Sequence, residues 1–114
     1  MSLNLPYYLY LLISMNILFE YLYRDAGNFK NWGEVIFSNK SNIPLAEIET
    51  EIRTNLIDGQ FFVAEEVGVP TLYFDERTED DHGWHEFDGV EETNRTGGIE
   101  ITEFLNSLHR VSKK

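Results

Sequence analysis

From Asn16 to Tyr23 the chain carries two apolar faces at once, and this run restricts the fold more than any other feature. On an extended strand Ile17, Phe19, Tyr21 and Tyr23 fall on one side and Leu18, Glu20 and Leu22 on the other. A strand that is apolar on both sides has to be central or covered. Asp25-Ala-Gly-Asn-Phe-Lys-Asn-Trp-Gly33 then reads as turn chemistry and Glu34-Val-Ile-Phe-Ser38 as a second β run, which together predict a hairpin.

Pro44 to Asp58 predicts a helix, because Leu45, Ile48, Ile52 and Leu56 recur at helical spacing, Glu47 and Glu49 occupy the first turns and Gly59 follows the end. Its stripe is expected to cover one face of the hairpin. Gln60 to Val67 predicts one or two further helical turns closed by Gly68, with Phe61 or Phe62 pointing inward, ahead of a short strand Thr71-Leu-Tyr-Phe74. An acidic connection, Asp75 to Gly83, leads to a strand from Trp84 to Thr93, in which Gly89 predicts a bulge or bend. After the loop Asn94 to Gly98, Ile101 and Thr102 read as staple and N-cap of a last helix bearing Phe104, Leu105, Leu108 and Val111. The expected fold is α+β: a small antiparallel sheet in ββα(α)ββα order with its helices packed on one face.

A chain of 114 residues with 42% hydrophobic content builds one core, and with no Cys it does so without disulfides or thiolate metal sites. The net charge of -11 disfavours direct contact with nucleic acid or an anionic membrane. The charge is concentrated: residues 65–92 hold eleven acids against one base, whereas residues 1–64 hold seven acids against four bases.

The stretch 1–14 is set apart. No charged side chain occurs from Ser2 to Phe19, yet the run lacks the basic start and small-residue cleavage site of a secretory signal, and Asn16 and Glu20 interrupt it before the roughly 20 apolar residues of a spanning helix. It reads as an apolar extension ahead of a domain covering 15–114, and an ordered apolar run has to be buried on its own domain or on a second copy. The lack of export signals places the chain in the cytoplasm.

At Tyr23-Arg-Asp-Ala-Gly-Asn-Phe-Lys-Asn-Trp-Gly-Glu-Val-Ile-Phe37, with Gly68-Val-Pro70 and Trp84-His-Glu-Phe87, the chain resembles a group of small bacterial proteins without an assigned function. The resemblance runs from about Met15 to Leu105 and implies where the domain begins. It implies no catalytic or binding residue.

The densest reactive cluster is Asp80-Asp-His-Gly-Trp-His-Glu86, in which His82, His85 and Glu86 are ligand types for Zn²⁺ or a related ion. On a strand His82 and His85 would point to opposite faces, so they converge only if His82 lies in the loop or a bend intervenes. The same groups are the candidates for acid–base chemistry. Ser14, Ser38, Ser41 and Ser107 lack a nucleophile elbow, and Gly97-Gly98 lacks the rest of a phosphate loop, so no cofactor is expected and the motifs leave the question of catalysis open. Without a secretory signal, Asn39-Lys-Ser41 and Asn94-Arg-Thr96 are chance glycosylation triplets. Phe29 and Trp32 flank a cation in a base-stacking arrangement that Asp25 and Glu34 oppose, and they are expected to fold back over the hairpin or to meet a partner.

The expectation that follows is a protein-interaction domain, self-associating as a homodimer through the apolar N-terminal stretch and docking a basic partner through Asp75, Glu76, Glu79, Asp80, Asp81 and Asp88. The alternative is a small metal-binding protein or metal-dependent enzyme using the His/Asp/Glu cluster.

Overall fold

A computed structural model describes Met15 to Lys113; the stretch 1–14, on which the expected self-association rests, lies outside the described residues. The fold is mixed α and β, with a five-stranded sheet in the order β3-β4-β1-β2-β5 and three helices among the described residues. The strands are β1 (Asn16–Arg24), β2 (Lys30–Ser38), β3 (Phe61–Phe62), β4 (His85–Thr93) and β5 (Ile99–Glu100). The helices are α1 (Leu45–Thr54), α2 (Ala64–Val67) and α3 (Ile101–Ser112).

The two-faced run is the middle strand. β1 pairs antiparallel with β2 on one side and with β4 on the other, setting Phe19 opposite Val35 and Val90, and Tyr21 opposite Gly33 and Phe87. Its Ile17, Phe19 and Tyr21 share one apolar cluster with Phe37, with Ile48 and Ile52 of α1, with Ala64 and Val67 of α2, and with Ile101, Phe104 and Leu108 of α3. Phe19 lies at its centre, with the ring of Phe104 4.9 Å away at right-angle tendency and that of Phe87 stacked at 5.4 Å. Fully burying a side chain of this size contributes about 1.5–3 kcal/mol, so this cluster, assembled from every helix, is what holds the elements together.

The register between β1 and β4 slips between Glu20 and Tyr21: Glu20 faces Gly89, Tyr21 faces Phe87, and Asp88 is left over as the bulged residue. The bulge lies where Gly89 anticipated it. Gly68 ends α2 in the left-handed conformation at φ 80°, as expected of a glycine closing a helix.

Several expectations need correction. β2 begins at Lys30, so Asn31, Trp32 and Gly33 belong to the strand, and the turn is confined to Asp25 to Phe29, where Asn28 takes φ 68° and the Asp25 carboxylate accepts the Phe29 N–H at 2.8 Å. Gly33 is where Leu72 crosses the sheet: a Cβ built there would lie 2.8 Å from a Leu72 methyl. Thr71 to Phe74 is irregular rather than a strand. It serves as a strap, fastened by the Tyr21 hydroxyl to the Pro70 carbonyl at 2.6 Å and by the Asn31 amide to the Leu72 carbonyl at 3.0 Å. Part of the run expected as helix forms β3, which pairs Phe61 with Glu86 and Phe62 with His85. The observed order is therefore ββαβαββα, since β5, parallel to the end of β2, was not anticipated either. α1 stops at Thr54, and α3 starts at Ile101 with Glu100, not Thr102, at its N-cap position. The Glu100 carboxylate makes no cap bond; it accepts from the Ser38 hydroxyl at 2.6 Å and from the Lys40 N–H at 2.9 Å, which anchors the helix start to the end of β2.

Candidate functional site

β4 sorts the reactive cluster by alternation. His85 points into the core and is fully buried, while Glu86, one residue on, pairs across from Leu22 on the opposite face. The His85 Nε2 accepts the Leu72 N–H at 3.0 Å, so the neutral ring carries its proton on Nδ1. Nδ1 lies beside the Gly83 carbonyl without completing a hydrogen bond. Burial pushes the His85 pKa below 6.5, against a smaller upward pull from Glu65 and Gly83. The rings of Tyr23 and Tyr73 close around it, at 5.2 and 5.0 Å between centroids.

Glu86 is nearly as buried, and its carboxylate accepts from Arg24 Nε at 2.8 Å, Arg24 Nη2 at 3.3 Å and the Gln60 amide at 3.4 Å. This two-pronged contact satisfies a charge that burial would otherwise penalise. His82 sits in the preceding loop, exposed, with its Nδ1 accepting the Trp84 N–H at 3.0 Å and its carbonyl accepting the Tyr23 hydroxyl at 2.6 Å. The three residues expected as metal ligands are thus engaged in different places. Among the described residues no group of three or more His, Asp and Glu side chains is arranged to hold a metal ion.

The acidic segment divides in the same way. Asp81 is occupied internally: its carboxylate accepts the Ala26 N–H at 2.9 Å and the Thr78 N–H at 2.8 Å, and these two bonds, Ala26 first, hold its pKa below the ordinary 3.8. It pins the loop to the β1–β2 turn. Asp75, Glu76, Glu79 and Asp80 are exposed, as is Asp88 on the bulge. The segment's one base, Arg77, stacks its guanidinium 3.8 Å over the Tyr73 ring, and the Tyr73 hydroxyl is set 3.1 Å from both Glu65 carboxylate oxygens and from the Gly83 carbonyl.

A second concentration of charge lies where no single stretch of sequence shows it. On the face of the sheet bearing Leu18, Glu20 and Leu22, the pairing places Ile36 beside Leu18, Glu34 beside Glu20 and Trp32 beside Leu22. Glu20 titrates above the ordinary 4.5, through burial first and then through the like charges of Glu91, Asp88 and Glu34. Arg95 meets this group, its Nη2 2.7 Å from the Glu34 carboxylate. Trp32 is 57% exposed and Phe29 70% exposed, so neither folds back into the core. The signal for this arrangement was the period-two pattern Trp32, Glu34, Ile36, hidden by assigning Gly33 to the turn.

The larger hollows lie elsewhere. A polar groove of about 400 Å³ runs between α1 and α3, lined by Glu47, Glu51, Asn55 and His109 among others, and a more apolar hollow of about 330 Å³ is lined by Ile57, Phe61, Val63 and Val111. Neither includes a residue of the acidic stretch Asp75 to Glu92. No helix among the described residues is long and apolar enough to cross a membrane.

No protein family, curated protein or solved structure matches the chain. The resemblance at Tyr23–Phe37 stays without a relative to compare, and the reading of function rests on the site's own geometry.

Proposed function

We propose that this chain is a non-enzymatic protein-interaction domain of the cytoplasm, which docks a basic partner through its acidic side and a second copy of itself through the apolar stretch 1–14. The observation that carries the first half is the supply of uncommitted carboxylates: Asp75, Glu76, Glu79, Asp80 and Asp88 are exposed, whereas Asp81 and Glu86 serve the fold. Such a field raises the encounter rate with a cationic surface and repels nucleic acid. The reading takes all helices as packed on the Ile17, Phe19 and Tyr21 side, which leaves the reverse of the sheet for contact.

Replacing Asp75, Glu79, Asp80 and Asp88 with lysine, and sparing Asp81 because it pins the loop, tests the first half. Wild-type protein immobilised in host extract at low salt is expected to retain a basic protein that high salt elutes and that the quadruple variant does not retain. Equal retention by both proteins would refute the acidic-side reading. For the second half, sedimentation velocity on the full chain and on its Leu9→Lys/Leu12→Lys variant is expected to show a dimer for the first and a monomer for the second. A full chain that stays monomeric at high micromolar concentration ends that half.

A further inference from the structure

The outward pattern of the two central strands is written in rows: Ile36 with Leu18, then Glu34 with Glu20, then Trp32 with Leu22. Successive outward residues on a strand stand about 7 Å apart, twice the rise per residue. A carboxylate pair is therefore bracketed by apolar side chains at a spacing that an extended peptide reproduces with every second residue. Leu18 and Leu22 are only 7% and 4% exposed, so the accessible apolar side chains of this surface are the half-buried Ile36 at one end and the Trp32 indole at the other.

Charge decides what fits here. A second copy would bring Glu20, Glu34, Asp88 and Glu91 against their own like, and the stretch from Ser2 to Phe19 carries no cation with which to cover them. Arg95 shows what the row accepts, because the chain's own guanidinium lies 2.7 Å from the Glu34 carboxylate while Glu20 has no cation at ion-pairing distance among the described residues. An indole beside carboxylates adds the face on which a guanidinium stacks.

We propose that this face of the sheet is a docking surface for an arginine-bearing segment of a partner protein, the guanidinium lying between Glu20 and Glu34 against the Trp32 ring and apolar neighbours two residues away on either side. The proposal rests on the basic-partner reading above and assigns it a place and a residue type.

The probe is the blocked pentapeptide Leu-Ser-Arg-Ser-Leu, with citrulline in place of arginine as its neutral isostere, titrated into the full chain and followed by amide and indole NMR shifts. Expected are shifts at the Trp32 indole and along β1 and β2, none at the Trp84 indole, at least a tenfold weakening in Glu20→Gln/Glu34→Gln and in Trp32→Ala, and no shift with citrulline. The glutamine variants remove like-charge repulsion and are expected to keep or raise the melting temperature, so weakened binding in them is not misfolding. Arginine-dependent shifts confined to Asp75–Asp80 would overturn this surface while leaving the basic-partner reading standing. Equal binding of the citrulline peptide would overturn the arginine assignment. If neither peptide shifts any resonance at millimolar concentration, the surface proposal falls, and the charge-swap capture then decides the broader reading separately.

Discussion

Gly97 permits the close approach of the chain to β2 just before β5. A Cβ built on it would stand 2.2 Å from the Ile36 carbonyl oxygen, 2.6 Å from its carbon and 3.0 Å from the Phe37 nitrogen, all of them backbone atoms that no rotamer change moves aside. Carbon and oxygen approach no closer than about 3.3 Å, so Gly97→Ala forces the two segments apart by roughly 1 Å. That separation breaks the parallel pairing of Phe37 with Ile99 and Ser38 with Glu100, at about 1 kcal/mol for each backbone bond lost. Overpacking adds about 1–3 kcal/mol, and with two such bonds lost the sum is about 3–5 kcal/mol. In a urea titration followed by far-UV circular dichroism, at about 1–3 kcal/mol per molar, the midpoint is expected to fall by roughly 1–3 M. Gly98 supplies the control: nothing lies within 4 Å of its added Cβ and its φ is not in the left-handed region, so Gly98→Ala is expected to change stability by about 0.5 kcal/mol or less. A cost below about 1 kcal/mol for Gly97→Ala, or equal costs for the two substitutions, would show that the chain does not press on β2 at Gly97.

Tyr21, fully buried with its hydroxyl donating to Pro70, has its pKa pushed up to about 12 from 10.0, so the native state keeps a proton the unfolded chain gives up. Its contribution is intact below pH 10.0 and declines from there toward about 12, by at most about 2–3 kcal/mol, and denaturant midpoints measured across that range are expected to fall less steeply in Tyr21→Phe. The lowered pKa of His85 acts at the other end: the unfolded chain binds the proton more readily, stability is lost as pH falls through 6.5, and His85→Gln should flatten the curve on that acid side. An unchanged slope would assign the loss to other groups. Replacing Arg24 with leucine strands the Glu86 carboxylate in a nearly buried site and should lower the urea midpoint, whereas Arg24→Leu/Glu86→Leu should recover part of the loss. Additive losses in that cycle would mean that the pair is not coupled.

How much of this was legible follows the range of the forces involved. β1 and the stripes of α1 and α3 were readable because periodic burial writes itself into the local order of Ile17, Phe19 and Tyr21, of Ile48 and Ile52, and of Phe104, Leu105 and Leu108. Gly89 announced its bulge for a similarly local reason. Gly33 misled, because its lack of a side chain answers Leu72, which arrives from a distant part of the chain, and not a turn. β3 and β5 are two residues each, too short for any pattern, and exist through their partners in β4 and β2. The strap at Thr71 to Phe74 has strand-like composition, yet the Leu72 carbonyl and amide are taken by Asn31 and His85, and the Pro70 carbonyl just before it by Tyr21, rather than by a ladder. For the candidate site, sequence marked the acidic stretch but not the division of labour within it. Asp81 and Glu86 look like their neighbours until Ala26, Thr78 and Arg24 are brought to them, and Glu20 joins Glu34, Asp88 and Glu91 only once three strands align.

The placement of the aromatic residues has an optical consequence. Phe19, Tyr21, Tyr23 and Phe37 are fully buried, while the Trp32 indole is mostly in water and the Trp84 indole, stacked on Phe61, is partly so. The Trp32 share of the native emission should already be red-shifted, and only the Trp84 share, released from Phe61, should move when the interior melts, so a shallow fluorescence trace during denaturation is no sign of a resistant protein. Tyrosine bands in the near ultraviolet report the interior, and the Trp32 indole is left as a quiet beacon for whatever settles on the surface.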